Sequence, residues 1–559
     1  MPLTTTTIDR KKEIEAFGRR LSRRWKNYFS LEGLLPGIVP TNEQKQVVQS
    51  NEKQLVIRGS AGSGKSLMLV YRLIKLMEQE ESRQKILYVT FNQTLTQDTR
   101  KRLNQSDKYR ELSQTHDVEV ITYHDLVRNI LMYECGYPNI NRLQMKQSSI
   151  TEHESFIESK IMTILDQFKH SSEYEKYEKL FKTHSAKFLR EEFFWMKANG
   201  INTWDQYSIK ERKGRGHSPN VAKRQRPTIF HLFDLYQEFM KTNFKTPQLD
   251  MEDYALHLLN ELQLNPNASF KYDHILVDEF QDLQPMQIKS LVKLAKKSIT
   301  LVGDAKQRIY KRTPVSYKDL NLKVNSRTNQ RLTKNFRSTK QIMNLASALQ
   351  FTDVENVRED DQNFFREGPK PEIKHFTTMK RLASQMKKEI NQLQTNHPGK
   401  SIAVIHRYND NEVKQYGNLR HALERDFHVI GIEQYGKSFN YNKEKKPIFF
   451  TNPFEIKGLE FDFVFIVHFD RMHYPSSERI NDLKKRYDTK KINYQNYDKD
   501  YDDILNDEKK VLYVANSRAK EELKIFYAAE KQIRISPFVN DFDTRDYVSN
   551  FSKSKYKNN

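Results

Sequence analysis

The sequence predicts an α/β fold of two parallel-sheet lobes, with a helical insertion in the first lobe. Three observations carry this expectation. Nine short apolar runs are each followed by polar, helix-forming sequence, as strands buried on both faces of a parallel sheet are. The runs form two groups, one before residue 305 and one after residue 400. Between the third and fourth runs, residues 126–270 carry amphipathic helical patterning and no strong strand signal.

Residues 1–40 form a basic N-terminal extension containing Arg19-Arg20 and Arg23-Arg24-Trp25-Lys26. It reads either as an amphipathic helix on the body or as a binding arm. Residues 41–125 give the first part of the first lobe, with runs at Leu55-Val56-Ile57, Ile86-Leu87-Tyr88-Val89 and Val118-Glu119-Val120-Ile121. The insertion, 126–270, has amphipathic stretches from Glu154 to Phe168 and from Phe230 to Met240. It also holds a glycine-punctuated basic loop with Arg212, Lys213 and Arg215. That loop reads either as a solvated segment or as a contact to a phosphate backbone. Residues 271–320 complete the first lobe through Ile275-Leu276-Val277 and Ile299-Thr300-Leu301-Val302. Residues 321–530 form the second lobe, with runs at Ile402–Ile405, Ile448–Phe450, Phe463–Val467 and Leu523–Phe526. Residues 531–559 are expected to be a basic C-terminal tail.

Composition narrows the function classes. The chain has 559 residues, a single cysteine (Cys135) and a net charge of +22. One cysteine excludes a disulfide framework and Cys-based zinc sites within the chain. No apolar run is long enough to cross a membrane, and the N-terminus lacks the apolar stretch of a secretory signal, so a cytoplasmic setting is expected. The positive charge favours a polyanionic partner, for which nucleic acid is the usual choice; a generic lysine-rich surface is the other reading.

The chemistry is carried by two segments. Gly59-Ser60-Ala61-Gly62-Ser63-Gly64-Lys65-Ser66 satisfies G-x-x-x-x-G-K-[ST], follows a strand and opens a helix through Leu69, Leu73 and Met77. Its glycines let backbone N–H groups turn toward phosphate oxygens, and the helix N-terminus adds its dipole. Lys65 is placed for the β- and γ-phosphates and Ser66 for Mg²⁺. Val277-Asp278-Glu279 ends a strand in two carboxylates, Asp278 suited to the metal and Glu279 to activating water. Hydrolysis also needs positive charge on the γ-phosphate, for which Arg337 and Arg518 are candidates; on position alone each reads rather as a surface or ion-paired arginine.

These segments and their neighbours resemble a UvrD-like superfamily 1 helicase of the 1A type. Thr41-Asn42-Glu43-Gln44 is similar to the adenine-reading Q motif, with Gln44 the reader. Thr90-Phe91-Asn92 resembles motif Ia, and Thr122-Tyr123-His124 the motif that follows it. Asp278-Glu279-Phe280-Gln281-Asp282 resembles motif II, and Val302-Gly303-Asp304-Ala305-Lys306-Gln307 motif III, whose Gln307 links γ-phosphate to nucleic acid. Asn335-Phe336-Arg337-Ser338 resembles motif IV, with Phe336 on adenine. Lys457-Gly458-Leu459-Glu460-Phe461-Asp462 resembles motif V, with Glu460 near the ribose and phosphates. Leu512 to Ala519 resembles motif VI. The resemblance implies two RecA-like lobes of the P-loop NTPase class with ATP and Mg²⁺ between them. It implies single-stranded DNA across their tops, contacted by Phe91, Asn92, Thr122, His124 and Tyr310, and 3′→5′ movement. Phe91 and Tyr310 read either as base-stacking platforms or as core.

Three departures stand out. Arg312 occupies a position usually aromatic, and Asn452 and Phe454 stand where motif V commonly has Thr and His, closer to a HelD-like branch. About 120 residues separate Arg337 from Lys457, too few for the large 2B subdomain of typical relatives. The resulting expectation is an ATP-driven translocase or helicase acting in repair, replication or antiviral defence. A protein partner would supply the missing duplex contact, and the choice of DNA or RNA stays open. The alternative is an ATP-gated binding module that remodels a protein partner, as in HelD-like displacement of RNA polymerase or as a subunit of a defence complex.

Overall fold

The computed structural model describes residues 34–35, 39–138, 140, 147–170, 185–210, 212, 221–245, 248–309, 317–352, 364, 366–408, 418–432, 447–487 and 494–552. Lys213, Arg215, Tyr310 and Arg312 lie outside them, as does most of the N-terminal extension.

The first lobe is a six-stranded sheet, ordered β3-β2-β4-β5-β1-β6. Its strands are β1 (Gln54–Gly59), β2 (Lys85–Thr90), β3 (Asp117–Thr122), β4 (Tyr272–Val277), β5 (Ala295–Gly303) and β6 (Asn329–Leu332). Every pairing is parallel. Successive side chains point to opposite faces. Ile57, Ile86, Tyr88, Leu276 and Val302 therefore pack on Met68, Leu69 and Leu73 of the helix Lys65–Gln79. Val56, Leu87, Val89, Ile275 and Leu301 face the helices Tyr123–Asn129, Asp253–Leu264 and Pro285–Leu294.

The second lobe is a seven-stranded parallel sheet, ordered β13-β7-β12-β11-β8-β10-β9. It comprises β7 (Glu372–Phe376), β8 (Ile402–Ile405), β9 (Val429–Ile430), β10 (Ile448–Thr451), β11 (Phe461–Ile466), β12 (Ala519–Ala528) and β13 (Val548–Ser549). Among the described residues between β8 and β10 there is one helix, Leu419–Glu424, besides β9. The α/β class and the two sheets agree with the expectation from sequence.

Three boundaries move. β6 pairs with β1, so the first lobe runs past residue 320, to Leu332. The helices Tyr123–Asn129 and Asp253–Leu264 bury Leu126, Val127, Tyr254 and Leu258 against the first sheet, so they belong to the lobe. The insertion's own core lies between Ile157 and Met240. The expected C-terminal tail is part of the second lobe: Ile535, Phe538, Phe542, Tyr547 and Phe551 join its core, and β13 pairs with β7.

Candidate nucleotide site

β5 lies between β1 and β4, so the segment after it hangs between the phosphate loop and the two carboxylates. The phosphate loop runs from the end of β1 into the helix Lys65–Gln79. Gly62 and Gly64 adopt φ of +83° and +81°, a region that side chains disfavour. Space excludes a side chain as well. A Cβ on Gly62 would sit 2.6 Å from the Asn335 side-chain oxygen, and one on Gly64 would sit 2.7 Å from the Gln44 amide nitrogen. Lys65 donates from Nζ to the carbonyls of Gly59 (3.0 Å) and Ser60 (2.9 Å). Burial pushes its ammonium pKa down and Arg337 adds to this, against the carboxylates of Asp304, Glu279 and Asp278.

Gln44 does two jobs. Thr41-x-x-Gln44 is a capping box for the helix Asn42–Gln49, in which Thr41 N–H donates to Gln44 Oε1 at 3.0 Å. Gln44 Nε2 then donates to the Ser63 carbonyl at 3.2 Å. The helix is tied down by buried Arg72, which donates to the carbonyls of Val47, Val48 and Ser50 at its C-terminal end and to Thr300 on β5.

Asp278 and Glu279 follow β4 and are both buried. Ser66 hydrogen-bonds to Asp278. A hydroxyl beside a carboxylate is the hard oxygen donor set that Mg²⁺ takes, so these residues fit the ion. Burial and the neighbouring Glu279 raise the Asp278 carboxyl to about 6, against Ser66 and Lys65. Glu279 has φ of +52°, a strained conformation for a side-chain-bearing residue that costs roughly 1–2 kcal/mol. It aims the carboxylate at a cationic cluster. Burial pushes the Glu279 pKa up, but Lys457, Lys65, Gln281 and Arg518 together hold it below the usual carboxylate range.

The second lobe completes the site. Asn335 donates to the Ala61 carbonyl at 2.7 Å, and Phe336 N–H to the Gly62 carbonyl at 3.0 Å. Arg337, next along, pairs with Glu460. Arg518 is buried and donates to Gln307 Oε1 at 2.9 Å and to the Leu459 carbonyl at 3.2 Å. Burial, with Arg337 adding, lowers its pKa to about 10. Gln307 in turn donates to Asp304 at 2.8 Å. Lys457 crosses between the lobes to Asp282 at 2.6 Å, both side chains fully buried, and also reaches the Gln307 carbonyl. Beside it Gly458 packs on Leu95 of the helix Gln93–Asn104.

The expected catalytic set (Lys65, Asp278, Glu279, Gln307, Arg337 and Arg518) thus converges on one cleft, with Gln44, Phe336 and Glu460 at its margins. Glu460 is engaged by Arg337. Sequence reasoning did not single out Lys457, Asp282, Asn335 or Asp304, although each lies inside a motif already read.

The nucleic-acid expectations fare differently. Asn92 and Thr122 stand at the ends of β2 and β3 and cap the helices Gln93–Asn104 and Tyr123–Asn129. Phe91 is only 6% exposed and His124 only 4%, so neither presents an open face. His124 packs edge-on against Tyr123 and Tyr254. Arg212 forms a two-pronged ion pair with Glu192, at 2.8 and 2.6 Å, inside the insertion. Buried Glu192 also accepts from Tyr207, so Arg212 is the counter-ion of a buried carboxylate.

A model of the UvrD/REP helicase N-terminal domain matches residues 40–312, and one of the UvrD-like helicase C-terminal domain matches 330–435 and 442–530. A probable DNA helicase II homolog of Mycoplasma capricolum is 24% identical over 392 residues, 66% of this chain and 49% of that protein. DNA helicase IV of Escherichia coli is 26% identical over 296 residues, 48% of this chain and 40% of its own. The ATP-dependent DNA helicase PcrA of Leuconostoc citreum is 25% identical over 334 residues, covering 57% and 40%. The chain spans about half, or less, of the length of these relatives.

Proposed function

The chain belongs to the UvrD-like helicase family, and from that premise we propose that it is an ATP-driven 3′→5′ translocase on single-stranded DNA. The observation that carries the proposal is that both lobes supply groups to one phosphate site. Asn335 and Phe336 bond to the phosphate loop while Arg518 bonds to Gln307. A site divided in this way ties ATP occupancy to the separation of the lobes, which is what a motor requires.

In the proposed reaction Lys65 and the loop amides hold the β- and γ-phosphates. Ser66 and Asp278 would hold Mg²⁺, which would supply positive charge to the phosphate oxygens. Glu279, held ionised by the surrounding cations, orients the attacking water and accepts its proton. Arg337 and Arg518 supply positive charge to the transition state. Gln307 bonds to Arg518 and Asp304, and so links the phosphate site to the segment after β5. Single-stranded DNA crosses the C-terminal ends of β2 and β3, where Asn92 and Thr122 lie. The net charge of +22 supports a polyanionic substrate.

The test is ATPase activity with and without single-stranded DNA, beside strand displacement on 3′- and 5′-tailed duplexes. We expect stimulation of at least about tenfold, or roughly 1.4 kcal/mol of barrier, and displacement from the 3′ tail. No stimulation by any nucleic acid refutes the translocase. Stimulation without displacement identifies a translocase that needs a partner to separate strands.

A further inference from the structure

We propose that Tyr88 is a positioning residue for the metal-binding carboxylate, acting through a hydroxyl relay that starts on the helix Gln93–Asn104. The inference rests on the reading of Asp278 as a Mg²⁺ ligand. Tyr88 is on β2, which pairs with β4, the strand that ends in Asp278. Its ring is fully buried with Ile86, Ile57 and Met68 on the face that carries the phosphate-loop helix. A phenylalanine would fill that space equally well, so packing alone does not call for the hydroxyl. A buried phenol needs a partner, and this one has two. It donates to Asp278 Oδ2 at 3.3 Å and is hydrogen-bonded by Thr99.

The arrangement fixes both oxygens of Asp278. Glu279 N–H donates to Oδ1 at 3.0 Å, and the Tyr88 hydroxyl holds Oδ2. With its rotation restrained, the carboxylate keeps its place beside Ser66. Groups that orient metal ligands in this way typically contribute about 10–100-fold in metal affinity or activity. The origin of the relay matters as well. Thr99 shares its helix with Leu95, on which Gly458 of the second lobe packs. The helix that feels the other lobe therefore also touches the group that holds the metal ligand. Position 88 lies in none of the segments that mark the phosphate site in the sequence.

The experiment is electron paramagnetic resonance titration of Mn²⁺ into the full chain with the non-hydrolysable analogue AMP-PNP. Wild type, Tyr88→Phe, Thr99→Val and Asp278→Asn are compared, with the thermal midpoint of each. Tyr88→Phe should weaken Mn²⁺ binding about tenfold. Metal-free AMP-PNP affinity and the thermal midpoint should stay near wild type, a pattern that a merely structural role does not produce. Thr99→Val keeps the phenol in place and should give a smaller shift in the same direction; it carries the test if Tyr88→Phe fails to fold. Wild-type Mn²⁺ affinity in both variants, with affinity lost in Asp278→Asn, overturns the role of Tyr88. Wild-type affinity in Asp278→Asn instead refutes the assignment of the metal ligand itself.

Discussion

Replacing Lys457 by methionine tests how the two lobes are joined. The Lys457 ammonium lies 2.6 Å from the Asp282 carboxylate, with both side chains fully buried, and it bonds to the Gln307 carbonyl as well. Methionine keeps most of the volume and removes the charge, leaving the Asp282 carboxylate in a low-dielectric interior. Breaking a buried pair from one side costs about 3–5 kcal/mol, because the remaining charge loses its compensation. For a lobe of this size that lowers the thermal midpoint by roughly 6–20 °C. Adding Asp282→Asn to Lys457→Met should recover most of the loss, since it removes the stranded charge. A second consequence concerns acidity. Glu279 is held below the usual carboxylate range against burial, and Lys457 is the strongest of the groups that hold it there. A carboxylate whose pKa is depressed stays ionised until the pH falls through that lowered value. Without Lys457 the value rises, so the acidic limb of the ATPase pH profile should move to higher pH. A single substitution costing under about 1 kcal/mol, a double variant no better than the single, or an unmoved acidic limb each refutes the reasoning.

Lys65→Ala removes the cation beside the phosphate loop and should cut ATP turnover at least about a hundredfold, measured by phosphate release; near-normal turnover shows that the site lies elsewhere. Glu279→Gln should bind ATP normally and lose hydrolysis in single-turnover assays, and hydrolysis at the wild-type rate removes Glu279 from the catalytic set. Arg212→Gln strands the buried Glu192 carboxylate, so denaturant titration should show a loss of about 3–5 kcal/mol from the insertion while the salt dependence of DNA binding keeps its slope. A flattened slope with unchanged stability identifies Arg212 as a phosphate contact. His406 stacks on Phe450 and burial lowers its pKa to about 3, so its neutral form stabilises the fold above the ordinary histidine pKa near 6.5. That contribution is lost as pH falls, by about 1.4 kcal/mol per unit, so His406→Phe should remove roughly 2 kcal/mol of destabilisation at pH 5. Parallel pH dependence in the two proteins refutes it.

All nine strands read from apolar runs are strands in the fold; eight lie inside the sheets, where burial on both faces writes a continuous apolar signal, and β3 is an edge strand with only Val120 and Thr122 buried. The four others leave no such signal. β6 is Asn-Gln-Arg-Leu at a sheet edge, β9 and β13 are two-residue edge strands, and β7 lies next to the edge with Glu, Lys and His among five residues. The C-terminal segment was misread for a related reason. Phe538, Phe542, Tyr547 and Phe551 reach the core from a short 3-10 helix and the turns after it, at spacings of four, five and four residues that sustain no single helical face or strand alternation. In the site, the local chemistry of Lys65, Asp278 and Glu279 was legible because a phosphate loop and a strand-terminal carboxylate pair are built from neighbouring residues. Pairings across the lobes were not: Lys457 meets Asp282 from 175 residues away, and Arg518 meets Gln307 from 211. For Phe91 and Arg212 a further reason applies. Sequence shows that an aromatic or a cation is present, while its exposure is decided by what folds over it.

The cations of the cleft are already partnered by the chain, and this shapes how a phosphate can enter. Lys65 holds two carbonyls of its own loop, Arg337 holds Glu460, and Arg518 holds Gln307. Gln44, expected to read adenine, is satisfied by Thr41 and Ser63. In the proposed mechanism nucleotide binding is therefore an exchange of partners, and each exchange returns only a fraction of the gross interaction, because a bond is given up for each one made. The exchange is not equal everywhere. Lys65 gives up neutral carbonyls for phosphate, a clear gain, since charge-assisted bonds are about twice as strong as neutral ones. Arg337 gives up a carboxylate, so its move to the γ-phosphate is nearly balanced and is set by whatever else draws on Glu460. Arg102, on the helix that meets the second lobe, and Lys520 both act on that carboxylate. A shift of either toward Glu460 releases Arg337 for the phosphate. In the proposed mechanism, the step most sensitive to the relation between the lobes is therefore the delivery of the arginine, and not the capture of ATP by Lys65.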